Sequence, residues 1–495
     1  MILYTDGHPF HYEMENLCRV FFPEEQIKTV AADEPGEPHV TTALRETLGG
    51  SKVSCEVFLE GERFCAEELI PAQQAQEEGE CERRMAVVLF DVLSRATGYR
   101  PQWGILTGVR PSKLMNRLTG QYGAAGAQAY FQNRLLVSPE KTALAFDVAQ
   151  AEKRIMDTSR PESFSLYLSI PFCPTRCSYC SFVSHSITAS KAQKLLPRYV
   201  ELLCEELAIT GRIASELGLR LETVYYGGGT PTTLAAEDLM RLHAAVEENF
   251  DLSTMREYTV EAGRPDTVTQ ERLEALKRMG VTRISINPQT FNDEVLQEIG
   301  RSHTAQCAQE AFLLARAHGF SNINMDLIAG LPLDTPAGFE KSLAGVLALS
   351  PENVTVHTLT LKRASNLVMQ AAPPAYGDVA QMVQHSIGAL QRAGYSPYYL
   401  YRQKGTLQNL ENTGWAKPGF AGLYNIYIME EVHTILSAGA GGSTKLVGPA
   451  GRIERVFNHK YPLDYLNHFD EVLARKQKIE DFYGKWFDLD SETAG

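Results

Sequence analysis

The sequence predicts an α/β protein built around a partial parallel barrel of six strand–helix units, a (β/α)6 arrangement. From Phe164 to about Arg392, short apolar or β-branched runs alternate with amphipathic stretches, which is typical of repeated βα units. A polar segment at 157–163 precedes this core, and tyrosines crowd among glycines and prolines after Gly394. We therefore expect an amino-terminal α+β domain, the partial barrel and a carboxyl-terminal region, at 1–160, 161–393 and 394–495.

Each predicted element follows from its local pattern. In the amino-terminal domain, Cys55–Leu59 has the character of a strand, whereas Arg84–Ala96 and Ser138–Met156 have the period of amphipathic helices. Ligands of such α/β folds lie at the carboxyl ends of the strands, so residues there are the candidates for function. The predicted core strands are Ser165–Ile170, Thr223–Tyr226, Glu257–Glu261, Thr282–Ile286, Asn322–Leu327 and Asn353–Leu359.

Composition and charge restrict the class of function. The chain has 495 residues, 44% hydrophobic and 22% charged, which is a globular composition and excludes a disordered or disulfide-scaffold protein. The net charge of −13 repels polyanions, so we expect no nucleic-acid partner. The sequence contains no apolar run of about 18 residues and no basic leader followed by an apolar stretch. We expect a cytoplasmic protein with no membrane partner.

Three of the nine cysteines form a CxxxCxxC pattern directly after the first predicted core strand. They are Cys173, Cys177 and Cys180, and in a reducing compartment such a group indicates metal. Three thiolates can hold three irons of a [4Fe–4S] cluster and leave one iron open for an exogenous ligand, which is a reactive arrangement. The alternative is a zinc site with His185 as the fourth ligand.

A glycine-rich turn follows the second predicted core strand. Gly227, Gly228 and Gly229 precede Thr230, and consecutive glycines let the backbone approach a ligand closely. The spacing does not fit the dinucleotide fingerprint, and the alternative is an ordinary tight turn between strand and helix. Its position one βα unit after the cysteine loop makes the signal specific.

With these two motifs, residues from Phe164 to about Arg455 resemble the radical S-adenosylmethionine superfamily. Within that superfamily the likeness is to the oxygen-independent coproporphyrinogen III oxidase branch, and above all to its HemZ-type coproporphyrinogen dehydrogenases. The segments that carry this finer likeness are GILTGVRPSKL at 104–114 and NLENTGWAKPG at 409–419. The resemblance implies a radical SAM barrel, with the carboxyl-terminal region covering the substrate.

The resemblance assigns cofactor residues position by position. Cys173, Cys177 and Cys180 match the cluster ligands, so the implied cofactors are a [4Fe–4S] cluster and S-adenosylmethionine. No catalytic residue is assigned beyond these sites. The positions that match S-adenosylmethionine contacts are Tyr167, Tyr179, Gly228, Gly229, Thr230, Glu261, Gln289, Arg301 and Asp326.

The implied reaction is the oxidative decarboxylation of two propionates of coproporphyrinogen III to vinyl groups by a 5′-deoxyadenosyl radical, a step of haem biosynthesis. The implied partners are this anionic tetrapyrrole and a reductant for the cluster that the sequence does not identify. The segment 361–460 contains ten Lys and Arg residues but only five Asp and Glu residues, so it is expected to supply cations for the substrate carboxylates. The candidates are Arg363, Arg402, Lys417 and Lys445.

One departure from the family pattern keeps alternatives open. The better-known coproporphyrinogen dehydrogenases carry CxxxCxxCxC, whereas Ser181 and Phe182 follow Cys180 here. A haem-binding radical SAM chaperone, a haem-acting radical SAM methyltransferase and a non-catalytic interaction protein stabilised by zinc are the alternatives to the oxidative decarboxylase.

Overall fold

A computed structural model describes residues 1–23, 25–31, 38–182, 185–187, 190–360 and 378–487. The chain divides into two compact units, of which the first comprises 1–149 and 400–411 and the second comprises 150–399 and 412–495. No helix in the described part is both long enough and apolar enough to cross a membrane.

The first unit contains a five-stranded mixed sheet with helices packed on it. The strand order is β2-β1-β3-β4-β5, in which β1 runs parallel to both neighbours and the other pairs are antiparallel. The predicted strand Cys55–Leu59 and helix Arg84–Ala96 are present within longer elements, and the predicted helix Ser138–Met156 is present but begins one residue later. The elements are β1 Ile2–Asp6, α1 His11–Phe21, β2 Lys28–Ala31, β3 His39–Thr47, β4 Gly50–Leu59, β5 Glu62–Pro71, α2 Ala72–Ala75, α3 Glu80–Thr97, α4 Pro111–Asn133 and α5 Pro139–Met156.

Apolar residues at alternate strand positions and on one face of the helices build the core of the first unit. Val53, Cys55 and Val57 of β4 are buried, and Met14 of α1 and Leu89 of α3 pack into the same cluster. An ion pair is also buried in this unit. Lys141 Nζ donates to Glu411 Oε1 at 2.5 Å, and Trp103 Nε1 donates to Glu411 Oε2 at 2.8 Å.

The second unit contains an eleven-stranded sheet with a parallel centre. The order is β14-β15-β13-β12-β11-β10-β9-β6-β16-β17-β18. Its elements are β6 Ser163–Ile170, β7 Phe172–Cys173, β8 His185–Ser186, α6 Ser190–Glu216, β9 Arg220–Gly228, α7 Ala236–Asn249, β10 Glu257–Glu261, α8 Gln270–Arg278, β11 Arg283–Ser285, α9 Asp293–Glu298, α10 Ala305–Ala317, β12 Ile323–Ala329, α11 Pro336–Leu349, β13 Asn353–Thr358, α12 Asp378–Arg392, β14 Ser396–Arg402, β15 Glu411–Ala416, α13 Leu423–Glu430, β16 Thr434–Ala438, β17 Ser443–Val447, β18 Ile453–Phe457, α14 Pro462–Asn467 and α15 Phe469–Trp486.

All six predicted core strands are present, as β6, β9, β10, β11, β12 and β13, and neighbours in this series pair in parallel. The strands are apolar because helices of the βα units cover them; β12, for example, buries six of its seven residues. The carboxyl-terminal region contributes to the same sheet. β16 lies parallel beside β6, and β15 lies antiparallel beside β13. The carboxyl ends of the parallel strands therefore share one edge, where the cysteine loop and the glycine turn both begin.

Candidate functional site

The three cysteines lie on one short loop at the carboxyl end of β6. Cys173 is the last residue of β7, and the amide of Cys180 donates to the carbonyl of Cys177 at 3.2 Å. The loop is closed by β8, since the amide of Ile187 donates to the carbonyl of Cys173 at 2.9 Å. Cys177 is buried, and the other two thiols are partly buried. Burial raises the pKa of Cys180 to about 11.

Donors from two other loops face the thiols. Thr230 Oγ1 lies 3.4 Å from Cys173 Sγ, and Arg264 Nη1 lies 3.9 Å from Cys177 Sγ. Donors aimed at a sulfur favour its thiolate form, which is the form that binds iron. In the part of the chain that the structure describes, no three His, Cys, Asp or Glu side chains converge closely enough for a single metal ion. A [4Fe–4S] cluster does not need that convergence, because each of its thiolates binds a different iron.

The strand pairing argues against His185 as a fourth, zinc-binding ligand. In the β7–β8 pair, His185 lies opposite Phe172, and Cys173 lies opposite Ser186. Successive strand residues point to opposite faces, so the imidazole and the Cys173 thiol are on different faces of this pair. The His185 ring packs edge-on against Tyr461, with the ring centroids 6.5 Å apart.

The glycine turn is hydrogen-bonded to the segment that carries Cys173. The amide of Gly229 donates to the carbonyl of Ile170 at 2.9 Å, and the amide of Thr230 donates to that of Phe172 at 2.8 Å. A Cβ on Gly229 would lie 2.6 Å from the Phe172 oxygen, and Gly228 has a φ of +100°. The fold itself thus requires both glycines. Their predicted contact with S-adenosylmethionine stays a prediction.

An aromatic wall stands beside this turn. Tyr167 of β6 stacks on Tyr225 of β9 and on Tyr424 of α13, with centroid distances of 6.0 and 6.1 Å. Tyr225 Oη donates to Glu261 Oε1 at 2.6 Å, and burial raises the pKa of Glu261 to about 7. Sequence reasoning missed Tyr225 as a site residue, although its place two residues before the glycines was a usable signal.

Asp326 of β12 lies in a polar network at the same edge. Its Oδ1 accepts a hydrogen bond from Asn324 Nδ2 at 2.7 Å, and its Oδ2 lies 3.6 Å from His357 Nε2 of β13. Burial opposes charge on both groups, but their interaction prevails: it lowers the pKa of Asp326 and raises the pKa of His357. His357 was missed because a lone histidine in an apolar strand carries no motif.

Gln289 and Arg301 place unpartnered buried polar atoms at the site. The backbone of Gln289 is fixed by its amide, which donates to the carbonyl of Asp326 at 2.9 Å. Arg301 donates through Nη1 to the carbonyl of Asn287 at 2.7 Å and through Nη2 to Tyr179 Oη at 3.0 Å. Gln289 Oε1 and Arg301 Nε are buried and have no hydrogen-bond partner among the described residues. Such atoms are costly unless a ligand satisfies them, so the residues present fit a polar cofactor.

The predicted substrate cations that the structure describes donate hydrogen bonds to carbonyl groups of the protein itself. Arg402 ends β14, in the part of that strand that groups with the first unit, and it is 3% exposed; its role in holding the substrate stays a prediction. Its Nη1 donates to the carbonyls of Leu106 and Gly108 at 2.5 and 3.2 Å, and burial lowers the pKa of Arg402 to about 10. These hydrogen bonds anchor the loop at 106–108, whereas the buried Nη2 of Arg402 has no hydrogen-bond partner among the described residues.

The two predicted lysines also have internal partners. Lys417 Nζ donates to the carbonyl of Ser350 at 2.9 Å, near the amino end of β13. Lys445 Nζ donates to the carbonyl of Ile428 at 2.8 Å, and Lys445 pairs in the sheet with Ile435 near the amino end of β16. Both lysines are therefore at the edge of the sheet opposite to the cysteine loop, and their role in holding substrate carboxylates stays a prediction. Arg363 lies outside the described residues.

Comparison with known proteins agrees with this geometry. The family model of the Radical SAM superfamily matches residues 167–344, which span the cysteine loop, the glycine turn and Asp326. The oxygen-independent coproporphyrinogen-III oxidase-like protein HemZ of Bacillus subtilis is 35% identical over 486 residues, covering 96% of this chain and 96% of its own. The chain belongs to the HemZ-type branch of the radical SAM superfamily.

More distant relatives of this HemZ-type chain share part of its length. The haem chaperone HemW of Haemophilus influenzae is 32% identical over 307 residues, which cover 61% of this chain and 75% of that protein. The structure of coproporphyrinogen III oxidase HemN from Escherichia coli superposes with a TM-score of 0.51 at 23% identity, over 65% of this chain and 72% of that one. That likeness shows the fold: a mixed α/β protein with a large parallel sheet. Radical SAM enzymes in general use a [4Fe–4S] cluster and S-adenosylmethionine.

Proposed function

We propose that this HemZ-type enzyme oxidatively decarboxylates two propionates of coproporphyrinogen III to vinyl groups, giving protoporphyrinogen IX without oxygen. The observation that carries the radical SAM chemistry is the pair of unpartnered buried atoms, Gln289 Oε1 and Arg301 Nε, at the strand ends that also hold the cysteine loop. The tetrapyrrole substrate is inferred from the relative that spans 96% of the chain.

Cys173, Cys177 and Cys180 are the proposed ligands of a [4Fe–4S] cluster on a partial (β/α)6 radical SAM barrel. The cluster and S-adenosylmethionine, when bound, would supply a 5′-deoxyadenosyl radical to take a hydrogen atom from a propionate carbon. The substrate would then lose carbon dioxide and pass one electron to an external one-electron acceptor, so that a vinyl group remains. Glu261, Gln289, Arg301 and Asp326 are proposed to hold S-adenosylmethionine, together with Tyr167, Tyr179, Gly228, Gly229 and Thr230.

The surrounding residues have distinct roles in this proposal. Asp326 is held as a carboxylate by His357, and as an acceptor it suits the hydroxyls of a ribose. The stacked rings of Tyr167, Tyr225 and Tyr424 form an apolar wall, which excludes water from reactive species. A one-electron reductant of unidentified nature is the required partner, and the cytoplasm, being reducing, would keep the thiols available.

The decisive experiment offers two tetrapyrroles to the anaerobically purified, iron-loaded protein with S-adenosylmethionine and dithionite. We expect vinyl products from coproporphyrinogen III, identified by mass spectrometry, and no change in haem. Stable haem binding without decarboxylation would favour the chaperone, an alternative supported by Phe182 at the position of the extra cysteine and by the HemW relatives. A Cys177→Ala variant, which lacks a proposed ligand, is the matched negative control.

A further inference from the structure

Arg264 is a buried cation for which the proposed S-adenosylmethionine site has no use. It follows β10 and is 2% exposed. Its Nε donates to Asp266 Oδ1 at 3.0 Å and its Nη2 donates to Asp266 Oδ2 at 3.1 Å. This two-point contact with one carboxylate fixes the plane of the guanidinium. The third nitrogen, Nη1, takes no part in the contact with Asp266.

That third nitrogen faces the cysteine loop. Nη1 of Arg264 donates to Thr175 Oγ1 at 2.9 Å and lies 3.9 Å from Cys177 Sγ. Thr175 is between the first and second cysteines of the motif, and its own hydroxyl donates to the carbonyl of Gly300 at 3.0 Å. The loop that follows β10 is thus joined to the cysteine loop by a charged group aimed at one sulfur.

A second guanidinium serves the same sulfur. Arg301 is buried and donates to Tyr179 Oη, and its charge also acts on Cys177. Cys173, in comparison, receives the neutral hydroxyl of Thr230. Two guanidiniums thus act on Cys177: Arg264, which is also paired with Asp266, and Arg301, whose charge acts on Cys180 as well.

His303 is a third buried basic side chain near these two guanidiniums. It is 5% exposed, and neither ring nitrogen has a hydrogen-bond partner among the described residues. Burial, followed by the charges of Arg301 and Arg264, lowers the pKa of His303 to about 4. The histidine stays neutral at physiological pH and adds no charge to the pair of guanidiniums.

We propose that Arg264, acting through Cys177 together with Arg301, raises the reduction potential of the cluster. The inference depends on the proposed function, because it presumes that Cys177 binds iron. Reduction adds one electron to the cluster, supplied by the external reductant, and a nearby buried cation stabilises that added negative charge. Hydrogen bonds to the sulfurs and local net charge are the protein features that set such potentials. Arg264 is a positioning residue in this account, since it touches a cluster ligand and not the substrate.

The test is the midpoint potential of the reconstituted cluster, measured by a redox titration followed by electron paramagnetic resonance, without tetrapyrrole. Arg264→Gln removes the charge and should lower the equilibrium constant for reduction about tenfold, which corresponds to about 59 mV for a one-electron couple. Arg316→Gln is the matched control, because Arg316 pairs with Glu352 near the opposite edge of the sheet. Its midpoint should equal that of the unmodified protein.

Arg264→Lys keeps the test decisive if the glutamine variant loses iron. A single ammonium group cannot hold both Asp266 and Cys177 in the arginine's manner, so the midpoint should fall in the same direction by a smaller amount. An Arg264→Gln variant with full iron content and an unchanged midpoint potential would overturn the inference. If Arg264→Gln loses iron, the same result in Arg264→Lys would overturn it. An unmodified protein that assembles no cluster would instead refute the proposed function.

Discussion

Replacing Gly229 by alanine should disrupt the cysteine loop, and not S-adenosylmethionine binding alone. The new Cβ would lie 2.6 Å from the Phe172 oxygen and 2.8 Å from both the Ile170 oxygen and the Phe172 nitrogen. All three atoms belong to the backbone that leads into Cys173, so they cannot rotate away. The glycine turn would have to separate from that backbone.

The free-energy cost of this separation has two sources, a steric clash and the breaking of two hydrogen bonds. Forcing a methyl group into a filled space costs about 1–3 kcal/mol. The hydrogen bonds from the amides of Gly229 and Thr230 add about 1 kcal/mol each. A total of about 3–5 kcal/mol reduces the population of the native turn roughly 140-fold to 4,000-fold.

Gly227→Ala is the matched comparison. Its Cβ would meet only side-chain atoms, Tyr225 Cε1 at 3.0 Å and Tyr167 Oη at 3.1 Å, and these rings can tilt. Iron and sulfide per chain after anaerobic reconstitution should be low in Gly229→Ala and normal in Gly227→Ala, whose S-adenosylmethionine affinity should fall several-fold. Full iron in Gly229→Ala, or equal iron loss in both variants, would refute this reasoning.

Three further predictions concern the cluster, the buried carboxylate and the first unit. Cys177→Ala should lose iron and 5′-deoxyadenosine formation, whereas Cys204→Ala should keep both; metal analysis checks this. Because the pKa of Glu261 is raised in the folded state, its contribution to the free energy of unfolding is lost as pH rises from 4.5 to about 7. At about 1.4 kcal/mol per pH unit, the loss is at most about 3 kcal/mol. The thermal midpoints at pH 5 and pH 8 should therefore differ less in Glu261→Gln than in the unmodified chain. Lys141→Met removes the cation that is paired with the buried Glu411 and should lower the free energy of unfolding, measured with denaturant, by about 3–5 kcal/mol. Adding Glu411→Gln should restore part of that free energy.

The parallel core could be predicted from sequence because its signal is local. Strands covered on both faces are continuous apolar runs, and β12 was placed at Asn322–Leu327 against an observed Ile323–Ala329. The order of motifs likewise placed the cysteine loop and the glycine turn at strand ends. Their mutual hydrogen bonds were not predicted, because the amide of Gly229 and its acceptor on Ile170 are far apart in sequence.

The pairing of strands that are distant in sequence, and the partners of the charged side chains, could not be predicted from the sequence. β16 pairs with β6 across more than half of the chain, and no local period indicates a strand's partner. Counting charges identified Lys445 as a cation, but its acceptor is the backbone carbonyl of Ile428, which every sequence would supply. The same holds for Arg402, whose acceptors are carbonyls of a loop. An excess of positive charge in a segment therefore does not by itself show which of its cations are held by backbone carbonyls and which are available to a ligand.

The central claim is that a radical formed at this site removes hydrogen from a propionate of coproporphyrinogen III. The most direct measurement supplies coproporphyrinogen III deuterated in its propionate side chains, with S-adenosylmethionine and dithionite, to the iron-loaded protein. Mass spectrometry should find deuterium in 5′-deoxyadenosine together with a vinyl product. Unlabelled 5′-deoxyadenosine with intact coproporphyrinogen would contradict the claim.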